Sequence, residues 1–440
     1  MLPELMERFR VPGVAAGTLS DGVEDISTAG VTSIDNPLPV QPTTLFQIGS
    51  ITKTITATAI LRLIEQSVVE LEAPVRRYLP DLRLSDEDVA SRLTLRHLLT
   101  HSAGFVGDFF EDTGWGDDAL ERYVTMLADL PQLVPLGALF SYCNSGFAVA
   151  GRVIERMCGK SYEQATRELV LEPLGMHHSY FFPAEVMTHR FVVGHQSPFD
   201  PAEDVYVLRP WPIPRPGSAM GGLSSCVPDL LAYARFVLGG GPANFLSDEL
   251  RVLMHSPLAP AGNYADAIGT AWMLRDVDGV RVVEHGGATY GQQATLKIVP
   301  ERNYAQVVLT NSSRGGELHT ELSIDLLREH LGLDSSEPAL LSPAAEALNE
   351  YVGHYEAWLD SADVSVADHQ LVVNRTPKGG FPTRDTPPPP PPPPTRWSFW
   401  AKDRILGVEG PMQHARAEFV RDSAGKITHL RIGGRLAARA

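Results

Sequence analysis

Cysteine is scarce in this chain: Cys143, Cys158 and Cys226 are the only three in 440 residues. Their number is odd and their spacing unlike that of a metal site, so no disulfide framework is implied and nothing argues against a reducing compartment. Basic residues are outnumbered, 37 Lys and Arg against 53 Asp and Glu, which gives a formal net charge of −16. They form no cluster, so neither nucleic acid nor an anionic membrane surface is an expected partner. No run approaches the roughly 18 uninterrupted apolar residues of a membrane span. The opening MLPELMERFRVPG has no basic segment followed by an apolar one, so it does not read as a signal peptide, and the chain as written reads as cytoplasmic. Also missing are His-Glu-x-x-His, a P-loop and the dinucleotide-binding glycine pattern. Metal-dependent hydrolysis and nucleotide chemistry therefore have no support, and no cofactor is expected.

What is present is an ordinary globular composition, 43% hydrophobic and 20% charged, on a length that suggests two or three folding units. Residues 2–10 suit a short amphipathic helix, and VPGVAAGTL, SDG and VEDISTAG read as a hairpin. TLFQIG reads as a strand leading to Ser50. From Ile51 to about Gln66, the spacing of Ile55, Ala59, Leu63 and Ile64 predicts a helix with one apolar face. Its β-branched residues make propensity mediocre, so packing must hold it. Residues from about 70 to 260 mix short helical patterns with Pro- and Gly-rich loops. Strands return in IGTAWMLRD, GVRVVEH, ATLKIVP and YAQVVLTN, followed by a helix over 316–331. Strands at both ends with helices between predict an α+β fold, one sheet built from both termini with an inserted helical lobe. We place this unit at 1–335. After SSEPALLSP, residues 345–440 read as a separate small β-domain. It contains eight consecutive prolines, 387–394, which predict an extended spacer of about 25 Å, most simply a surface loop between strands.

Three short stretches could carry chemistry. In GSITK, a helix starting at Ser50 would set the Lys53 ammonium beside the Ser50 hydroxyl, and burial would lower the lysine pKa until the amine can accept a proton. Serine is also a preferred N-cap, and a second Ser-x-x-Lys, Ser423 to Lys426, shows how cheaply the pattern arises. In FSYCN, Tyr142 and Asn144 would share a face of an extended segment, giving a phenol for proton transfer and an amide to orient a carbonyl, while Cys143 points away into packing. A buried tyrosine with one hydrogen bond is the plain alternative. In EHGGA, Gly286 and Gly287 beside His285 would let a substrate approach backbone N–H groups; a simple hairpin turn is the alternative. THSAG, residues 100–104, falls one residue short of the nucleophile elbow and follows a helix-like segment rather than a strand, so an α/β-hydrolase using Ser102 is disfavoured.

In this order, Ser50-Ile-Thr-Lys53, Tyr142-Cys-Asn144 and His285-Gly-Gly287, the chain resembles the serine β-lactamase/penicillin-binding-protein-like family. The likeness is to its class C-like branch of carboxylesterases, D-amino-acid peptidases and amidases. VPGVAAGTL, LRHLLTHSAGF, PLGALFSYCNSGFAVAG, LEPLGMHHS and VVLTNS add landmarks, and the resemblance covers about residues 5–330. YVGHYE and GKITHLRIGGRLAAR resemble the lipocalin-like β-domain appended to many members. The resemblance implies an antiparallel sheet flanked by helices, a C-terminal β-barrel, and acyl transfer. Ser50 would be the acylated nucleophile, Lys53 and Tyr142 would share the base role, and Asn144, His285, Gly286 and Gly287 would contact substrate. The N–H groups of Ser50 and Ala288 would form the oxyanion hole. Where many relatives carry Lys-Thr-Gly, this chain has His285-Gly286-Gly287, and imidazole is mostly neutral near pH 7. That favours small acyl esters over carboxylate-bearing amides, with a D-amino-acid peptidase or amidase, a weak β-lactamase, or a silent binding protein as alternatives. The expected partner is a small ester, amide or peptide. The C-terminal domain would either cover the site or mediate assembly into a homo-oligomer.

Overall fold

The structure, a computed structural model, describes residues 2–334 and 337–440. The linker SSEPALLSP begins at Ser335 and Ser336, which lie outside the described residues. Helix α1 (Leu2–Phe9) turns Leu5 and Phe9 inward. Strands β1 (Gly13–Ser20) and β2 (Val23–Gly30) follow. Their two-residue turn places Asp21 and Gly22 at φ +48° and +85°, left-handed values that Asp-Gly adopts readily and that match strand twist. Four two-residue strands form two separate pairs in the middle of the chain: β3 (Phe46–Gln47) pairs with β6 (Ser224–Ser225), and β4 (His195–Gln196) with β5 (Tyr206–Val207). The late strands are β7 (Ala267–Ile268), β8 (Met273–Val277), β9 (Val280–Ala288), β10 (Gln293–Val299) and β11 (Tyr304–Thr310).

These strands form one antiparallel sheet in the order β2-β1-β11-β10-β9-β8-β7, so the N-terminal hairpin docks on the last strand. Pairing of Val14 with Thr310 through Ser20 with Tyr304 sets that junction. The two-residue side-chain period sorts the sheet into two faces. Val14, Ala16 and Val308 face Leu5, Phe9, Leu318 and Leu322 of α1 and helix Gly315–Leu331. Ala15, Leu19, Val307 and Leu309 face the main core, which includes Ile51 and Ile55 and runs on into the inserted helices. β1 and β11 are thus covered on both sides, which explains their near-continuous apolar sequence.

Two local differences from the sequence pattern matter. TLFQIG shrinks to the two strand residues Phe46–Gln47 because Gly49 turns the backbone to φ +50°. EHGGA is strand rather than turn: β9 runs through to Ala288, which pairs with Gln293, and the reversal comes at Thr289–Gln292, where the Thr289 N–H donates to the Gln292 carbonyl over 2.9 Å.

The C-terminal strands are β12 (Gly353–Glu356), β13 (Asp360–Ala367), β14 (Gln370–Pro377), β15 (Thr395–Ala401), β16 (Arg404–Gly407), β17 (Arg416–Arg421), β18 (Ile427–Ile432) and β19 (Arg435–Arg439). They close a barrel through the pairing of β12 with β19, around a core that includes Tyr355, Leu371, Trp397 and Leu430. The second Ser-x-x-Lys, Ser423–Lys426, lies in the β17–β18 turn, where Asp422 accepts hydrogen bonds from the Ala424 and Lys426 N–H groups. Among the described residues, no helix is long and apolar enough to cross a membrane.

Candidate active site

The sequence pattern starts a helix at Ser50 with the serine as cap. Instead, Gly49–Ile51 form a turn of 3-10 helix that runs into α2 (Thr52–Glu65), whose N-cap is Ile51 without a side-chain bond. The Ser50 hydroxyl is therefore not spent on capping. The threonine run explains itself at the same time. Buried hydroxyls on a packed helix need partners, and Thr54, Thr56 and Thr58 donate back to the carbonyls of Ile51, Thr52 and Thr54. Thr56 and Thr58 also meet the hydroxyls of Tyr162 and Tyr233, each at 2.8 Å. A β-branched helix is thereby held by tertiary contacts.

One turn into this helix Lys53 is fully buried, and its Nζ lies 2.9 Å from Ser50 Oγ, with the Met220 carbonyl as a second acceptor. Burial holds its pKa well below the usual lysine value. The Arg435 guanidinium pushes the same way, and Asp108 and Cys143 oppose it weakly. The Tyr142 ring centroid is 5.0 Å from Nζ. Burial pushes the phenol pKa upward, against the pull of Ser50 and Arg435. Its hydroxyl, turned toward Ser50 too loosely for a hydrogen bond, has no partner among the described residues. Burial thus shifts both groups toward their neutral forms, the amine and the phenol.

Asn144 opens the helix Asn144–Cys158. Cys143 is its N-cap, with Sγ accepting from the Gly146 N–H at 3.3 Å. Buried Cys143 thus packs and caps, and burial raises its thiol pKa to about 12. The Asn144 amide donates to Asp108 Oδ1 at 2.5 Å. On the facing strand β9, His285 is buried and its Nδ1 contacts the Gly286 carbonyl, while Nε2 has no partner among the described residues. Burial, then the neighbouring Lys53, lowers its pKa to about 3, so the imidazole is neutral. Gly287 and Gly49 let the two backbones touch. A Cβ on Gly287 would overlap the Ile48 carbonyl, and one on Gly49 would stand 2.6 Å from the Ala288 nitrogen. Ser50 and Ala288 are therefore on adjoining backbone strips. Ser50, Tyr142, Asn144, His285, Gly286, Gly287 and Ala288 all line one cavity of about 580 Å³, with Lys53 beneath its floor.

Sequence reasoning missed three neighbours. His101 stacks on Tyr142 with ring centroids 4.3 Å apart, and its Nδ1 accepts from the Cys143 N–H at 2.9 Å. Its signal, THSAG, is present, but as a support for the Tyr142 segment; Ser102 itself bonds to Thr100 at 2.9 Å. Asp108 had no pattern at all. Arg435, on the barrel strand β19, reaches Asp108 with Nε at 2.9 Å and places its guanidinium 4.5 Å from the Tyr142 ring centroid. Despite burial, Asp108 keeps its pKa above the usual arginine value. No sequence periodicity links position 435 to position 142.

The fold and the cavity define a class: a hydrolase of the serine β-lactamase and penicillin-binding-protein type, built on an antiparallel sheet with Ser-x-x-Lys at the foot of a buried helix. The chain belongs to the Beta-lactamase family, which matches residues 1–328. Penicillin-binding protein 4 of Amycolatopsis lactamdurans is 32% identical over 351 residues, 78% of this chain and 91% of that protein. Esterase EstB of Burkholderia gladioli is 34% identical over 169 residues, 35% of this chain and 42% of that protein. Among solved structures, SurE superposes with a TM-score of 0.76 at 26% identity, covering 100% of this chain and 97% of that one. SurE solved with D-Leu gives 0.73 at 25%, with the same coverage. The likeness to SurE thus extends through the barrel.

Proposed function

We propose that the protein hydrolyses acyl esters through an acyl-enzyme on Ser50. The observation that carries this reading is the fully buried Lys53 amine 2.9 Å from Ser50 Oγ. Deprotonated by its surroundings, Nζ takes the Ser50 proton as Oγ attacks the acyl carbon. Oxyanion charge develops toward the N–H groups of Ser50 and Ala288. The proton then passes by way of the Tyr142 phenol to the departing alkoxide, and water cleaves the acyl-enzyme by the reverse path. Asn144 and the unpaired Nε2 of His285 hold the donor. A neutral imidazole gives no permanent cation at this point, which suits an uncharged acyl donor.

A second reading has its own support. Arg435 brings a cation to the cavity from the barrel, so a donor with a carboxylate, such as an amide or peptide built on a D-residue, also finds a counter-charge there. The D-Leu bound to SurE agrees with this reading. Arg435 is already neutralised by Asp108, which keeps esters first. The test is intact-mass detection of an acyl adduct, with peptide mapping, after exposure to p-nitrophenyl butyrate and to D-aminoacyl amides. An adduct on Ser50 with the ester is expected, and Ser50→Ala should cut turnover by at least ~10³-fold. Full turnover in Ser50→Ala would overturn the mechanism, and faster hydrolysis of the D-aminoacyl amides would favour the second reading.

A further inference from the structure

The eight prolines at 387–394 have no part in the chemistry above and form an exposed loop between β14 and β15 in which Pro392 alone is half-buried. Pro389, Pro390 and Pro392 line a second chamber of about 620 Å³, together with Leu208, Tyr290 and Trp358. Asp108, Tyr142, Leu359, Phe381 and Arg435 line both this chamber and the Ser50 cavity, so the two adjoin. The segment that leads into the prolines is tied down. Its base closes on itself, with the Gly380 N–H donating to the Thr386 carbonyl over 2.9 Å. Phe381 packs edge-on to Phe110 at 4.9 Å between centroids, and Arg384 pairs with Glu111. The barrel thus supplies an outer wall to a chamber beside the cavity that Ser50 lines.

We infer that the acyl donor is long and mostly apolar, its carbonyl at Ser50 and its distal hydrocarbon in this proline- and Trp358-lined chamber. This rests on the acyl-enzyme reading and names its substrate class. The chemistry of the wall decides the occupant. Proline presents methylene faces and has no N–H, so the proline side of the chamber offers no donors to the carbonyls of a peptide, while Gln196, Arg375 and Arg435 supply polar atoms elsewhere in its lining. Trp358, 46% exposed as an isolated surface residue would be, gains a role as a lid over that hydrocarbon. A small acyl group would leave the outer chamber to water and gain nothing from it.

The test compares p-nitrophenyl acetate with p-nitrophenyl decanoate, below its critical micelle concentration, on the full chain. Three variants are included: Trp358→Ala, Trp358→Phe, and residues 387–394 replaced by a Gly-Ser repeat of equal length. The decanoate:acetate ratio of kcat/KM is expected to exceed about 10 in the parent protein, to fall at least tenfold in Trp358→Ala and in the replaced segment, and to survive in Trp358→Phe. Thermal melts and the rate of Ser50 labelling by a fluorophosphonate identify any variant that has lost its fold. A parent ratio below one, or a ratio that neither folded variant changes, overturns the chamber while leaving Ser50 chemistry intact. Failure of either ester to acylate Ser50 overturns both.

Discussion

Single atoms decide this site. In the proposed mechanism Lys53 acts as a base only while uncharged, and burial together with Arg435 lowers its pKa toward that form. Lys53→Arg, a permanent cation, should therefore reduce kcat by ~10³-fold or more without unfolding the chain; a kcat within tenfold of the parent would show that another group takes the proton. Because protonating Nζ removes the base, kcat/KM should fall as pH drops through the depressed lysine pKa, and that acid limb should be absent from the residual activity of Lys53→Arg. Gly287 is a second such atom-scale constraint, since a Cβ there would overlap the Ile48 carbonyl. Gly287→Ala has to push β9 away from the Ser50 turn. It should lower kcat by about 10²-fold or more, the order seen when a single oxyanion donor is lost, with little change in melting temperature. Parent-like kcat in that variant would remove Ala288 from the reaction. Ser50 and Lys53 were legible because three residues of helix bring them together locally. The close approach at Gly287 was only half legible, because a turn and a strand edge look alike in five residues.

At the scale of elements, the β18–β19 hairpin holds the segment that carries Tyr142. The Gly434 carbonyl accepts from the Tyr142 N–H at 2.9 Å, the Leu436 N–H donates to Ser141 Oγ at 3.4 Å, and Arg431 Nε donates to the Phe140 carbonyl at 3.0 Å. Arg431 is buried and ion-paired with Glu418. Arg431→Met removes the Phe140 contact and strands a carboxylate, a loss of roughly 3–5 kcal/mol for a buried pair broken on one side. Melting should drop and kcat should fall with it, whereas Arg431→Met with Glu418→Leu should recover melting more than kcat, because the Phe140 carbonyl stays without its donor. Equal recovery of both would mean that the hairpin is structural ballast for Tyr142. Strands, the α2 helix and the barrel were readable from period and turn residues. The hairpin's reach was not, because its partners are some 290 positions away and nothing local in IGGRLAAR encodes a docking register. The proline run lies between β14 and β15 as an exposed loop, but composition does not say what it faces.

Over the whole molecule, the acidic surface and the neutral interior make opposite demands on pH. His101, His285 and His319 are buried and uncharged, with burial the leading cause in each case; His285 and His319 are lowered to about 3. In the unfolded chain each returns to about 6.5. Between those two values the unfolded chain binds protons that the fold refuses, so stability is complete above about pH 7 and is lost as pH falls toward 3. The slope approaches about 1.4 kcal/mol per pH unit for each histidine. Glu284 adds to the loss below its usual range, because Lys297 and Arg275 outweigh its burial and hold it at about 2. Urea unfolding at pH 7.5, 6 and 5 should show free energy falling increasingly steeply. His319→Gln, which can keep the hydrogen bond to Thr310 that His319 makes at 3.1 Å, should remove about one proton from that slope. Stability that is flat from pH 7.5 to 5, or a slope that His319→Gln leaves untouched, would mean that these imidazoles find a proton inside the fold. The neutral His285 on which the choice of uncharged esters depends would then be charged as well, so one titration tests both the interior and the substrate class.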